Sequence, residues 1–266
     1  MLARYWNVFL IGFQNALVYR WNFLLRCCFS LVPLMGTIFF WGAIYEGKGD
    51  VGGYSYGGMI SYFVALLVLD ALTSPTEDDF QIAADIREGM INQVLLKPVN
   101  YGGYRLALFF SGRMVYAIST LIPVGLAVLW LRHKLAWPEE VSVWALTLLA
   151  ALGSGLLQFG ISFCTGLLAF WLLDVGGVIF ILFGLEYLAG GHVFPLNLLP
   201  GSLYQITLWL PFAYEYYFPV AVFGGQLSEA ELWRGFLFQW GWIVMVAGIG
   251  WLVWRQGLKK YTAVGG

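Results

Sequence analysis

Residues able to do chemistry are few in this chain, and several stand among apolar neighbours. Glu186 lies between Leu185 and Tyr187 in an otherwise uncharged run. A charge at the centre of a bilayer costs about 2.5–3.5 kcal/mol on insertion scales, so such a group faces protein or water. Glu186 is expected to line a polar path or to hold a neighbouring segment through a hydrogen bond. The plainer alternative is a protonated carboxyl bonded to an adjacent helix. Asp70 lies close to the end of an apolar stretch and can reach water. Arg113 is about two turns into another stretch and can extend its charge to the boundary; it or Arg105 could pair with Asp70. Glu215, among Tyr214, Tyr216 and Tyr217, reads as part of an interfacial aromatic belt.

Other chemistries find little support. Gly160-Ile161-Ser162 matches part of the Gly-x-Ser of intramembrane serine proteases, with His192 as base, but Phe163 stands where those enzymes have glycine. Matches this short arise by chance in glycine-rich apolar stretches. His133 and His192 have no cysteines at metal-site spacing. Cys27, Cys28 and Cys164 lie in apolar stretches and read as small buried hydrophobes; a disulfide is disfavoured because two are adjacent and the third is in another stretch. No Gly-x-x-x-x-Gly-Lys-(Ser/Thr) loop occurs, so the chain is expected to bind no ATP and no cofactor of its own.

The elements that position these residues are apolar. Cys27–Tyr45, Val51–Leu69, Met114–Leu131, Val141–Leu173, Tyr187–Tyr214 and Gly235–Trp254 contain no Asp, Glu, Lys or Arg. A bilayer core about 30 Å thick needs about 20 such residues in a helix. The chain is 60% hydrophobic and 18% aromatic, with 11% charged residues, and its mean hydropathy is +0.76. A net charge of −1 and the lack of basic runs exclude a nucleic-acid partner. The expectation is an all-α polytopic membrane protein: one transmembrane domain over residues 1–266 with six transmembrane helices in contact with lipid. The N-terminus lacks a short apolar core with a small-residue cleavage site, so no signal peptide is expected.

Residues 1–23 differ from the spans. Arg4, Asn7, Gln14, Asn15 and Asn22 share one helical face, and Leu2, Trp6, Phe9, Phe13 and Leu17 fill much of the rest. That pattern predicts a helix lying in the membrane interface. Six spans put both termini on one side. Only Lys48, Arg132, Lys134 and Arg234, of the 14 Lys and Arg residues, fall on the other, so the termini and residues 73–105 are expected to be cytoplasmic.

Two segments stand out. Thr73–Arg105 reads as a helix outside the bilayer, capped by Ser74 or Thr76, with Glu77, Asp78 and Asp79 at the positive end of its dipole. Asp85, Arg87 and Glu88 are expected to be exposed, and Ile82, Ile86, Met90, Val94 and Leu95 to form an apolar face. Pro98 ends it, and Tyr101-Gly102-Gly103-Tyr104 is a flexible return to the next span. Within Glu186–Gly225, Gly190-Gly191, Pro195, Pro200 and Pro211 forbid one continuous helix, yet the residues are too apolar for a free loop. Irregular backbone at membrane depth survives only when buried in protein or lining a cavity. A re-entrant hairpin on the extracellular side, over residues 190–230, satisfies both constraints.

These two segments, in this order, resemble a known family. Ile86-Arg87-Glu88-Gly89-Met90 through Leu95-Leu96-Lys97-Pro98 is similar to a helix, glycine and Leu-Leu-(basic)-Pro ending, and Gly190-Gly191-His192-Val193-Phe194-Pro195-Leu196 through Pro200 to a small-residue, aliphatic, proline motif, of the permease subunits of type-2 ATP-binding-cassette (ABC) exporters, in their six-span bacterial branch. His192 departs from the Gly-Phe-Phe-Pro-like form of that motif. The resemblance implies a coupling helix between spans two and three, on which Asp85, Arg87, Glu88, Met90 and Leu95 would contact a separate nucleotide-binding ATPase subunit. It implies ATP and Mg in that partner, no catalytic residues here, and a second permease, identical or sister, completing the path. Glu186, His192, Phe194 and Pro195 would belong to the path or its gate, and a bacterial inner membrane would be the location. The aromatic and aliphatic spans suit a hydrophobic, lipid-like or drug-like substrate. An ion-coupled secondary transporter is the alternative; it would want paired intramembrane carboxylates or broken helices in both halves, and only Glu186 is central.

Overall fold

The computed structural model describes residues 2–18, 20–73 and 78–261, and over these it is helical apart from turns, loops and one isolated antiparallel bridge between Val51 and Tyr54. The main helices are α1 (Leu2–Val18), α2 (Arg20–Ile44), α3 (Tyr56–Thr73), α4 (Asp78–Arg87), α5 (Ile91–Leu95), α6 (Tyr101–Leu131), α7 (Val141–Leu167), α8 (Gly176–Ala189), α9 (Gly201–Thr207), α10 (Phe218–Phe223) and α11 (Glu229–Lys260). The caps expected from Ser74, Thr76 and Glu77 lie outside the described residues.

Three stretches are long and apolar enough to cross a bilayer: Tyr56–Arg87 (described to Thr73 and again from Asp78), Val141–Phe170 and Glu229–Lys260. A fourth is α6, whose parts Tyr101–Ser119 and Ile122–Leu131 meet at 47°. Pro123 accounts for this bend, because it has no N–H for the Ser119 carbonyl and its ring crowds that turn. Leu31–Ile44 and Gly176–Ala189 are apolar but shorter. The helical membrane character expected from composition therefore holds, with three or four helices meeting the length a crossing requires.

Several elements differ in detail from the sequence reading. The segment after α3 is not one helix: Gly89, at φ +75°, turns the chain between α4 and α5. Tyr101–Tyr104 is no flexible return but the first turn of α6, capped by the Asn100 side chain, which accepts from the Gly103 N–H at 3.1 Å. α7, by contrast, is regular, running unbroken through the small residues Gly153-Ser154-Gly155.

α7 is the axis of the packing, with α4, α10 and α11 against it. The small residues on its surface let these neighbours approach, as in many membrane helix pairs. Gly153 faces the buried amide of Gln239, and Gly166 faces α4. The broken segment between α8 and α11 contains a π-type turn at Ala213–Tyr217. Such a turn leaves carbonyls without their helical donors. Side chains from the surrounding helices supply them. Gln239 Nε2 donates to the carbonyls of Tyr214 (2.8 Å) and Ala150 (2.9 Å). The Ser154 hydroxyl donates to the Glu215 carbonyl, and the Tyr62 hydroxyl to that of Gly191 at 2.8 Å. Gly191 itself has φ +90°, which L side chains rarely adopt.

The contact at Gly166 is testable. A Cβ there would lie 2.7 Å from Ile82 Cβ and 2.8 Å from the Asp79 carbonyl oxygen, and the backbone of α4 cannot yield without moving. Gly166→Ala is expected to destabilise the protein by about 1–3 kcal/mol. Gly184→Ala, whose Cβ meets nothing within 4 Å, should leave the thermal unfolding midpoint in detergent unchanged.

Candidate functional site

The polar residues form two regions, one built around α4 and one around Glu186 of α8. The first joins α4–α5 to α6. Ile82, Ile86, Ile91 and Val94 pack with Tyr101, Leu167 and Phe170, so the inner face of α4–α5 is core. The outer face carries Arg87, Glu88, Met90, Leu95 and Leu96, all exposed, Leu96 at 88%. The apolar stripe expected on one face is thus divided: Met90 and Leu95 point outward, because the turn at Gly89 reorients the residues after it.

Asp85, grouped by sequence with the exposed residues, turns inward. Its carboxylate lies 2.5 Å from the Arg105 guanidinium and accepts from the Tyr101 hydroxyl at 2.8 Å. Arg105 also donates through Nη2 to the Gln81 carbonyl at 2.8 Å and through Nε to the Tyr101 hydroxyl at 3.1 Å. The Tyr101 ring stacks on Trp254 of α11 at 4.9 Å. The reason is positional. A guanidinium buried to this depth needs a carboxylate, and Asp85 is one turn from Gln81 on the same face of α4. On the far side of the tip, Arg4 of α1 donates to the Pro98 carbonyl at 2.8 Å, and the Asn100 N–H donates to the Tyr5 hydroxyl at 3.1 Å.

One turn before Gln81, Asp78 meets Arg113 at 2.5 Å, and the Arg113 guanidinium also lies over the Phe109 ring at 3.8 Å. Neither Arg113 nor Arg105 is bonded to Asp70, as the sequence had suggested. Asp70 is instead 3.6 Å from His192 Nε2, a long contact at a half-exposed carboxylate.

The second region surrounds Glu186. It is buried, and its Oε1 accepts from the Tyr216 hydroxyl at 2.9 Å, which ties α8 to the π-type turn. The His192 ring stacks on Tyr187 at 5.0 Å and meets Tyr216 edge-on at 4.3 Å. Phe194 is half-buried against the central core, and Pro195 is buried. Glu215 corrects the interfacial-belt reading: it is fully buried, and neither carboxylate oxygen has a hydrogen-bond partner among the described residues. Ser162 is bonded to Gln158, not to His192, so the nucleophile–base pairing is not formed among the described residues.

Sequence reasoning missed Gln158, Gln239 and Tyr101. The two glutamines sit in uncharged stretches, and asking which amides, as well as which charges, occur there would have found them. Nothing in the sequence distinguishes Tyr101 from its aromatic neighbours.

The Arg113–Asp78 pair generates a stability prediction. Arg113→Met takes the guanidinium away from the Asp78 carboxylate, and breaking a buried pair by removing one partner costs about 3–5 kcal/mol. Combined with Asp78→Leu, the loss should shrink, because the carboxylate is removed together with its guanidinium; chemical unfolding in detergent measures both.

With this geometry in place, comparison with known families is informative. The model of the family described as "ABC-2 family transporter protein" matches residues 31–265, from within α2 to beyond the end of α11. No curated protein gives a significant match. The match takes in the α4–α5 turn, the broken segment and the long apolar helices alike. On that coverage, the chain belongs to the ABC-2 transporter family and is a multi-pass membrane permease of an ABC transporter.

Proposed function

We propose that the chain is the membrane half of an ATP-driven exporter, and that the α4–α5 turn receives the work of a separate ATPase subunit. The observation that carries this reading is the two-faced construction of α4–α5. Arg87, Glu88, Met90, Leu95 and Leu96 are presented outward, while the inner face is fastened to the long helices. A rod held this way acts as a lever. A push on its exposed tip passes through Asp85–Arg105 and Asp78–Arg113 into α6, through Tyr101–Trp254 into α11, and through the close contact at Gly166 into α7. Asp85 then serves as an anchor of the lever, and Arg87, Glu88, Met90 and Leu95 as its contact face. α1, tied to Pro98 and Asn100, flanks the same partner.

In this reading α2 and α8 complete a six-span bundle despite their shorter apolar lengths, the termini and α4–α5 face the cytoplasm of a bacterial cell, and residues 190–230 enter from the outside and turn back. Their backbone carbonyls, held by Tyr62, Ser154 and Gln239, support a plug rather than a free loop. ATP and Mg are placed in the partner, since this chain carries no phosphate-cradling loop. Two permeases, identical or sister, enclose the path. They alternate between inward-facing and closed or outward-facing states as the ATPase subunits close. The cargo is hydrophobic, lipid-like or drug-like.

Two variants separate contact from anchorage. Arg87→Glu is expected to reduce co-purification with the ATPase subunit by roughly tenfold, the effect of a reversed interface charge. Asp85→Asn should leave assembly intact but reduce the ATPase activity of the complex. Normal assembly and activity in Arg87→Glu would refute the contact assignment.

A further inference from the structure

A cavity of about 310 Å³ opens between α4, α7 and α8. Its polar wall holds Asp79, Gln158, Ser162 and Glu186. Its apolar wall includes Phe180 and Phe183, which are 77% and 50% exposed on the outer surface of α8. We propose that this cavity binds the ammonium group of an amphiphilic amine, with Phe180 and Phe183 receiving its apolar body.

Three observations point to that ligand class. Among the described residues the lining contains two carboxylates and no Lys, Arg or His. Arg113 acts on Asp79 electrostatically, but it is bound to Asp78 and does not line the cavity. His192 acts on Glu186 in the same way from outside the cavity, so a cationic ligand would supply a positive charge on a wall whose described lining has none. Next, Gln158 is 2% exposed and its Oε1 has no hydrogen-bond partner among the described residues, while its Nε2 donates to the Ser162 hydroxyl oxygen at 3.4 Å. A buried acceptor left open calls for a donor. Finally, an ammonium offers three donors and no acceptor, matching acceptors on Asp79, Gln158 and Glu186. The donor set disfavours the other occupants. Phosphate headgroups would meet two carboxylates, and among the described residues no group of three His, Cys, Asp or Glu side chains is arranged to hold a metal ion.

The inference rests on the transporter reading for its meaning, as a substrate site, but its test does not need the ATPase subunit. The purified full-length chain in lipid nanodiscs is titrated calorimetrically with 4-phenylbutylamine, and with 4-phenylbutanol and 4-phenylbutanoate as neutral and anionic counterparts. The amine is expected to bind saturably, and the alcohol and acid about tenfold more weakly or worse, as loss of a charge-assisted hydrogen bond predicts. Gln158→Leu and Glu186→Gln should each weaken amine binding about tenfold. Gln158→Glu, which keeps the shape and adds a carboxylate, should strengthen it. Thermal unfolding of each variant identifies any that fail to fold, and the strengthened Gln158→Glu variant then carries the test. No saturable amine binding, equal binding of the alcohol, or no response to these substitutions would overturn the site. Assembly with the ATPase but no amine binding would remove this site and leave the transporter reading standing; amine binding without assembly would do the reverse.

Discussion

Guanidinium groups buried beside apolar helices must meet carboxylates, and that requirement organises this protein. Arg105 and Arg113 stand two turns apart on one face of α6. Asp85 and Asp78 stand two turns apart on α4 and meet them in register. Matched spacing on both helices turns two ion pairs into a clamp that fixes translation and rotation of α4 at once. The pairs add little stability over an apolar substitute of the same shape, because desolvation offsets much of their attraction. What they supply is definition: α4 cannot slide along α6 by a turn without leaving a charge unmatched at each end.

A second constraint acts through the backbone. Between α8 and α11 the chain abandons regular helix while remaining among apolar helices, and each freed carbonyl needs a donor. Gln239, Ser154 and Tyr62 provide them from three different helices. Gly153 permits the close approach that lets the Gln239 amide reach its targets. The clamp at α4 and this donor set share α7, which packs against α4 near Gly166 and against α11 near Gly153. α7 thus touches both α4 and the π-type turn of the broken segment.

Much of this was legible in the sequence, for definite reasons. Apolar run length exposed the helical membrane character, and the glycines and prolines of residues 190–211 exposed the broken segment. Of the apolar face expected from Ile82, Ile86, Met90, Val94 and Leu95, the first, second and fourth lie on the inner side of α4–α5, and Met90 and Leu95 do not. The errors have a common cause. Asp85, Arg113 and Glu215 were assigned by polarity alone, which says that a group needs a partner but not which one. Asp85 was read as exposed because charges at helix surfaces usually are; it turns inward because Arg105 is there to meet it. Glu215 was read with its aromatic neighbours at an interface, whereas the π-type turn carries the whole Tyr214–Tyr217 group into the core. The break at Gly89 depends on a positive φ that a single glycine does not announce.

The central claim is that the exposed turn is locked to the long helices by charge, and exchanging those charges tests it most directly. Thermal unfolding of the purified chain would be compared for Asp85→Arg, Arg105→Asp and the double exchange. Each single change places like charges together in a buried site, and both should be strongly destabilised. The account predicts that the double exchange recovers most of the loss, with a coupling energy of about 1–3 kcal/mol for residues in direct contact. Strict additivity, with the double variant as unstable as the sum of its parts, would contradict it.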